Sequence, residues 1–222
     1  MAAPRIFLVH AVRDAIAPAN AAMGAGWPAA RIANLVDDSL STDHAAKGGV
    51  LDDAMIGRFL ALGRYAASCG ADGILFTCSA FGAAIERVRG ELGIPVLKPN
   101  EAGIDEALDA GPRVALLATF PSTLVSIARE VENRARERGM TPTIVTREVD
   151  GAMAALQRGE AERHDRLIAE AAATFAGVDA VLLAQFSMAR AAAAIPAGRR
   201  PVIVTPPGSA VARLRSLVEA RA

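Results

Sequence analysis

The feature of this chain that most constrains its fold is an internal repeat. Pro4-Arg5-Ile6-Phe7-Leu8-Val9 is echoed by Pro112-Arg113-Val114-Ala115-Leu116-Leu117. Ala71-Asp72-Gly73-Ile74-Leu75-Phe76 is echoed by Val178-Asp179-Ala180-Val181-Leu182-Leu183, and Pro95-Val96-Leu97 by Pro201-Val202-Ile203. The three matches keep one order and one spacing, about 106 to 108 residues. Chance produces one such match among strands of limited vocabulary, but three in register indicate duplication.

The repeated runs are short, apolar and flanked by Gly, Pro or Asp, the pattern of buried parallel strands. Eight are predicted: Arg5–Val9, Arg31–Leu35, Gly73–Thr77, Pro95–Leu97, Arg113–Ala118, Thr143–Thr146, Ala180–Ala184 and Val202–Thr205. Amphipathic, alanine-rich segments lie between them, with helices predicted over Asp53–Ser68, Ala83–Leu92, Ser122–Arg138, Glu160–Ala176 and Gly208–Arg221. Such alternation predicts an α/β fold of two pseudo-symmetric parallel-sheet units with four strands each. Residues 1–98 with 207–222 are expected to form the first unit, and 99–206 the second. Ligands of open parallel sheets sit beyond the carboxyl ends of the strands. The expected active site is therefore between the two units, built from the residues that follow each strand.

Composition narrows the partner. The 24 basic and 24 acidic residues cancel, and no basic stripe or polybasic patch suggests nucleic acid or a membrane surface. No apolar run reaches the roughly 18 residues of a membrane helix. The N-terminal apolar run is too short for a secretory signal, and two cysteines make no disulfide framework. These points predict a cytoplasmic protein with a small-molecule partner.

Three groups could carry chemistry. The first is Thr77-Cys78-Ser79-Ala80, where the third strand gives way to a helix. Free N–H groups and a helix dipole there favour a thiolate, so the position predicts a lowered thiol pKa. The competing reading is a small apolar residue packed between strand and helix. Cys69 has only that packing role. The second group is Thr119-Phe120-Pro121-Ser122-Thr123, a hydroxyl-rich turn that could cradle a carboxylate or simply cap a helix. The third is His10, Arg13, Asp14, Asp37, Asp38 and His44. His10 follows the first strand as a proton carrier or as a histidine satisfying a loop. His44 lies in Asp38–Gly49, read as a polar loop long enough to act as a lid, and His164 sits among charges as a solvated residue. No metal-ligand spacing and no phosphate or dinucleotide glycine fingerprint occurs, so neither metal nor cofactor is expected.

Carried by the repeat, by Cys78 after the third strand and by Ala118-Thr119-Phe120-Pro121-Ser122-Thr123, the chain resembles the aspartate/glutamate/hydantoin racemase superfamily over essentially its full length. The resemblance implies a fold of the aspartate racemase type and cofactor-independent chemistry at the carbon next to a carboxylate. It makes Cys78 the base, acid or nucleophile and His10 an optional second acid. It implies that Ser79, Ala80, Thr119, Ser122, Thr123, Gln185, Phe186 and Ser187 bind the substrate, a small carboxylate. It also suggests a homodimer or larger assembly.

One departure matters. Racemases of this family use a second cysteine after the third strand of the second half, where this chain reads Leu183-Ala184-Gln185-Phe186-Ser187-Met188. The repeat sets Gln185 against Cys78, and glutamine has no acid or base function. The surviving readings are a racemase or isomerase with His10 or water serving the second face, and an enzyme similar to arylmalonate decarboxylases. Covalent attack by Cys78, as implied by the related maleate isomerases, is a third, and a non-catalytic binding protein on the same scaffold a fourth.

Overall fold

The computed structural model describes residues 3–196, 198 and 201–221; the side chain of Ser122 lies outside what it describes. In chain order the first unit holds β1 (Arg5–His10), α1 (Ile16–Gly26), β2 (Arg31–Val36), α2 (Ser39–Ala46), α3 (Asp53–Ser68), β3 (Gly73–Phe76), α4 (Gly82–Glu91) and β4 (Val96–Leu97). The second holds α5 (Glu101–Ala110), β5 (Arg113–Ala118), α6 (Pro121–Glu137), β6 (Thr143–Glu148), α7 (Ala152–Gln157), α8 (Ala161–Ala173), β7 (Ala180–Leu183) and β8 (Val202–Val204). The last helix, α9 (Pro206–Glu219), begins in the second unit and from Ala210 onward belongs to the first. By compactness the first unit runs to Pro99 and resumes at Ala210, and the second covers Asn100–Ser209.

The described strands form two four-stranded parallel sheets, ordered β2-β1-β3-β4 and β6-β5-β7-β8. In each, the chain leaves the first strand toward one edge and then returns to its other side. That reversal is the topological switch point, where the strand-end loops diverge and leave a crevice for a ligand.

Both faces of each sheet are covered, so the central strands are buried along their length, apart from the leading Arg5 and Arg113. Along β5, Val114, Leu116 and Ala118 pack with Ile104, Leu108, Ile127 and Val131 of α5 and α6. The alternate residues Ala115 and Leu117 pack on the other face with Ile168, Ala172 and Met188. In the first unit Phe7, Val9, Ile74 and Phe76 pack with Met55, Phe59, Ile85 and Val88 of α3 and α4. Those two helices approach closely at Gly63, where a Cβ would stand 2.5 Å from Val88 Cγ1.

Some helices escaped the sequence reading. The helices α1, α5 and α7 are missing from it: α1 carries little amphipathic contrast and α7 is only six residues long, whereas α5 does bury an apolar face of Ile104, Ala107 and Leu108. The stretch read as a lid loop folds as α2, with Leu40 its one buried residue. Arg58 of α3 holds it from outside, through Asp43 (2.5 Å), Asp37 (2.6 Å) and the Ser39 hydroxyl (2.5 Å). Among the described residues no helix is long and apolar enough to cross a membrane.

Candidate active site

Each switch point carries its own set of strand-end groups. In the first unit Cys78 follows β3 in extended conformation (φ −119°, ψ 122°) and leads into a 3₁₀ turn, Ser79–Phe81. The Ala80 backbone N–H and the Ser41 hydroxyl are the polar groups nearby that favour its charged form. Ser41, brought over by α2, donates its hydroxyl proton to the Ala11 carbonyl at 3.1 Å. Burial pushes the Cys78 thiol up, and the Ala80 N–H and Ser41 hydroxyl offset this only in part. The lowered pKa expected from sequence is therefore not what this environment gives. A 3₁₀ turn supplies little helix dipole, while the crevice around the sulfur is apolar and tight. Val9, His10, Ala11, Leu40, Phe59, Phe76 and Cys78 line that crevice, which has no room for a water molecule.

His10 ends β1 and is fully buried. Its Nδ1 is 2.9 Å from Thr77 Oγ1 and its Nε2 is 2.9 Å from Asn34 Oδ1. A neutral ring protonated at Nε2 satisfies both contacts, with Nε2–H donating to Asn34 and the Thr77 hydroxyl donating to Nδ1. Burial lowers the imidazole pKa despite the bond to Asn34, which keeps the ring neutral. His10 thus ties the ends of β1, β2 and β3 together beside Cys78. Ser79 is half-buried and Ala80 exposed. The two cysteines are free thiols, with Cys69 at the end of α3 packed against the core of its unit.

In the second unit, Thr119 and Gln185 occupy the corresponding strand ends. Gln185 Oε1 accepts from the Thr119 backbone N–H at 2.6 Å and from the Thr119 hydroxyl at 2.8 Å. Both donors of Thr119 are therefore spent inside the unit rather than offered to a ligand. Phe120 is the N-cap of α6, extended and without a side-chain cap, and Pro121 opens the helix. Thr123 is half-buried, and its backbone N–H reaches the Phe120 carbonyl at 3.1 Å. Phe186 is buried and Ser187 half-buried, at the start of the 3₁₀ helix Phe186–Ala194.

Ser41 and Asn34 are the groups that sequence reading passed over. Ser41 was one of many residues following a strand, and only the packing of α2 singles it out. Asn34, a polar residue within the apolar strand RIANLV, was a visible anomaly. His164 also corrects an expectation: it is fully buried, with Nδ1 2.8 Å from Asp165 Oδ1, itself paired with Arg190. The surrounding charges hid the buried stripe His164, Ile168 and Ala172 of α8. A surface groove lies on α8, along Asp165, Arg166, Ala169 and Glu170, and gathers no strand-end residue. Size alone makes no site there. No cluster of His, Cys, Asp or Glu among the described residues could hold a metal ion.

Solved structures share this architecture at low identity. The chain is similar to an allantoin racemase from Klebsiella pneumoniae (TM-score 0.70, 17% identity, 98% of this chain and 89% of that one). It is similar to an aspartate racemase from Picrophilus torridus (TM-score 0.69, 13%, 97% and 94%). It also resembles a glutamate racemase from Francisella tularensis in complex with D-glutamate (TM-score 0.66, 15%, 100% and 83%). No curated protein matches it significantly. Family membership rests on sequence: with the Asp/Glu/Hydantoin racemase model matching residues 27–220, the chain belongs to the Asp/Glu/hydantoin racemase family.

Proposed function

We propose that the protein is a cofactor-independent enzyme of racemase or isomerase type, acting at the carbon next to a carboxylate with Cys78 as its single thiol. The observation that carries this reading is the seating of Cys78. It follows β3 in extended conformation at the switch point of its sheet, in a tight crevice lined by His10, Leu40, Phe59 and Phe76. As a thiolate it takes the α-proton, leaving the electron pair delocalised into the carboxylate as an enediolate. The thiol then returns that proton to the same face, or water protonates the opposite face and the hydroxide it leaves takes the proton from the thiol, restoring the thiolate. Donors at the strand ends stabilise the oxyanion that develops. His10 serves as a positioning residue: both ring nitrogens are engaged, and giving up a proton would break a bond that aligns the strand ends.

A second reading is a decarboxylating lyase. The crevice around Cys78 is apolar and tight, and burial pushes the thiol up, which favours the neutral form that protonates a planar enediolate after carbon dioxide leaves. Proton NMR in D2O separates the two, using amino acids, hydantoins, allantoin, maleate and arylmalonates beside a Cys78→Ala control. Exchange of an α-proton that depends on Cys78 supports the racemase reading, and loss of an arylmalonate carboxylate supports the lyase. No conversion of any compound would sink both and leave a binding protein.

A further inference from the structure

We infer that α2 is a hinged lid over Cys78, closed in this structure, with Arg58 as its latch and the Gly48–Gly49 pair as its hinge. The crevice beside the thiol has no room for a water molecule, so a ligand can use that side of Cys78 only after one wall moves. Most of the walls are fixed. Val9 and Phe76 are paired in the parallel ladder, and His10 is tied through both ring nitrogens. Phe59, from the 16-residue helix α3, packs its ring on Phe76 and Phe81, at centroid distances of 5.6 and 4.7 Å. Displacing any of these takes the close-packed core of the unit apart. Leu40 is the remaining large side chain, and it is the one buried residue of α2.

The other attachments of α2 are polar and partly exposed. The Ser41 hydroxyl reaches the Ala11 carbonyl, and Arg58 bridges Asp37, Ser39 and Asp43. Of the Arg58 side chain 32% is accessible, and of Asp43 49%, so water and salt compete with the latch. Closure also carries a cost. The His44 ring lies against Phe81 at 4.8 Å, and its Nε2 is buried with no hydrogen-bond partner among the described residues. Lifting α2 returns that nitrogen to water. Beyond α2 come Gly48 and Gly49, with φ of 65° and 80°, and then the exposed Val50. Glycines absorb changes of φ and ψ at little steric cost, as a hinge requires. Lys47, paired with Asp52 at the start of α3, anchors the hinge end while the Leu40 end swings. The lid lies wholly within the first unit, and the inference does not depend on the reaction proposed above.

The thiol itself reports the lid. In a Cys69→Ala background, iodoacetamide reacts with Cys78 at a rate set by the open fraction, and the plateau at high pH removes any change in thiol pKa. Arg58→Ala should raise that plateau about threefold to fivefold. Arg58→Lys, which keeps the charge but loses the fork that spans both carboxylates, should fall between. Raising NaCl from about 0.05 to about 0.5 M should speed the parent about twofold and leave Arg58→Ala unchanged. Hydrogen exchange followed by mass spectrometry should quicken in α2 of Arg58→Ala while β1 and β3 keep their protection. An Arg58→Ala plateau equal to that of the parent overturns the inference, because the reagent then reaches the sulfur without moving α2. Exchange quickened equally in α2 and β3 overturns it too, as the sign of a general loosening of the unit.

Discussion

The two units carry the same framework and different chemistry. In the first, the Arg5 N–H donates to Asp72 Oδ2 at 2.7 Å and the Asp72 N–H returns to the Arg5 carbonyl at 2.8 Å. In the second, Arg113 and Asp179 repeat the exchange at 3.0 and 2.7 Å. The next bonds match too: Thr77 N–H to the Val9 carbonyl (3.0 Å) and Ala184 N–H to the Leu117 carbonyl (2.8 Å). One residue further on, the likeness stops. The first unit places a thiol there, beside a buried His10–Thr77 pair. The second has alanines at the positions matching His10 and Thr77, and a glutamine bound to Thr119 where the first has Cys78. Ladder bonds made by the backbone tolerate many sequences, so duplication preserves them. Strand-end side chains lie outside the ladder and can diverge without loss of fold.

The largest expected contrast is in activity. Replacing Cys78 by alanine should lower deuterium exchange about a thousandfold, the scale of one general acid–base group. Exchange measured on wild type and variant side by side checks this.

Stability comes next. His10→Ala should cost about 3 kcal/mol in urea unfolding, because it opens a cavity and strands two buried hydrogen-bonding groups. The equivalent framework carboxylates should also differ. Asp179 is buried against Arg113 and Asp72 is exposed. Alanine should therefore cost about 2 kcal/mol at Asp179 and about 1 kcal/mol or less at Asp72.

A smaller effect is pH-dependent. Burial lowers the His10 pKa in the folded state, so between that value and the unfolded one the unfolded chain binds more protons. Stability from the neutral ring is fully present above about pH 6.5 and falls as the pH drops below it toward the folded pKa. The difference in melting temperature between wild type and His10→Gln should shrink over that range. A constant difference would remove the neutral-histidine account.

The smallest effect concerns α2. Burial raises the Cys78 thiol, so iodoacetamide in a Cys69→Ala background should modify it with a midpoint above the ordinary thiol range of about 8.5. Arg58→Ala releases the contacts to Asp37, Ser39 and Asp43 and should speed that modification a few-fold. An unchanged rate would mean that α2 does not govern access.

Much of this was legible in the sequence because parallel strands buried on both faces must be continuous apolar runs, and a duplicated chain shows those runs twice. The eight strands, the family and the contrast of Cys78 with Gln185 follow from residues quoted in order. Folding alone decided what each group touches. The low contrast of SLSTDHAA concealed α2, and with it the bond from the Ser41 hydroxyl to the Ala11 carbonyl beside the thiol crevice. Burial reversed the direction assumed for the thiol pKa, since desolvation depends on neighbours distant in the chain. Thr119 and Gln185 stand 66 residues apart, so no local pattern could show that one uses up the other's donors. Sequence periodicity records which face is buried; hydrogen-bond partners and local dielectric are set by contacts across the sheet, and these exist only in the folded chain.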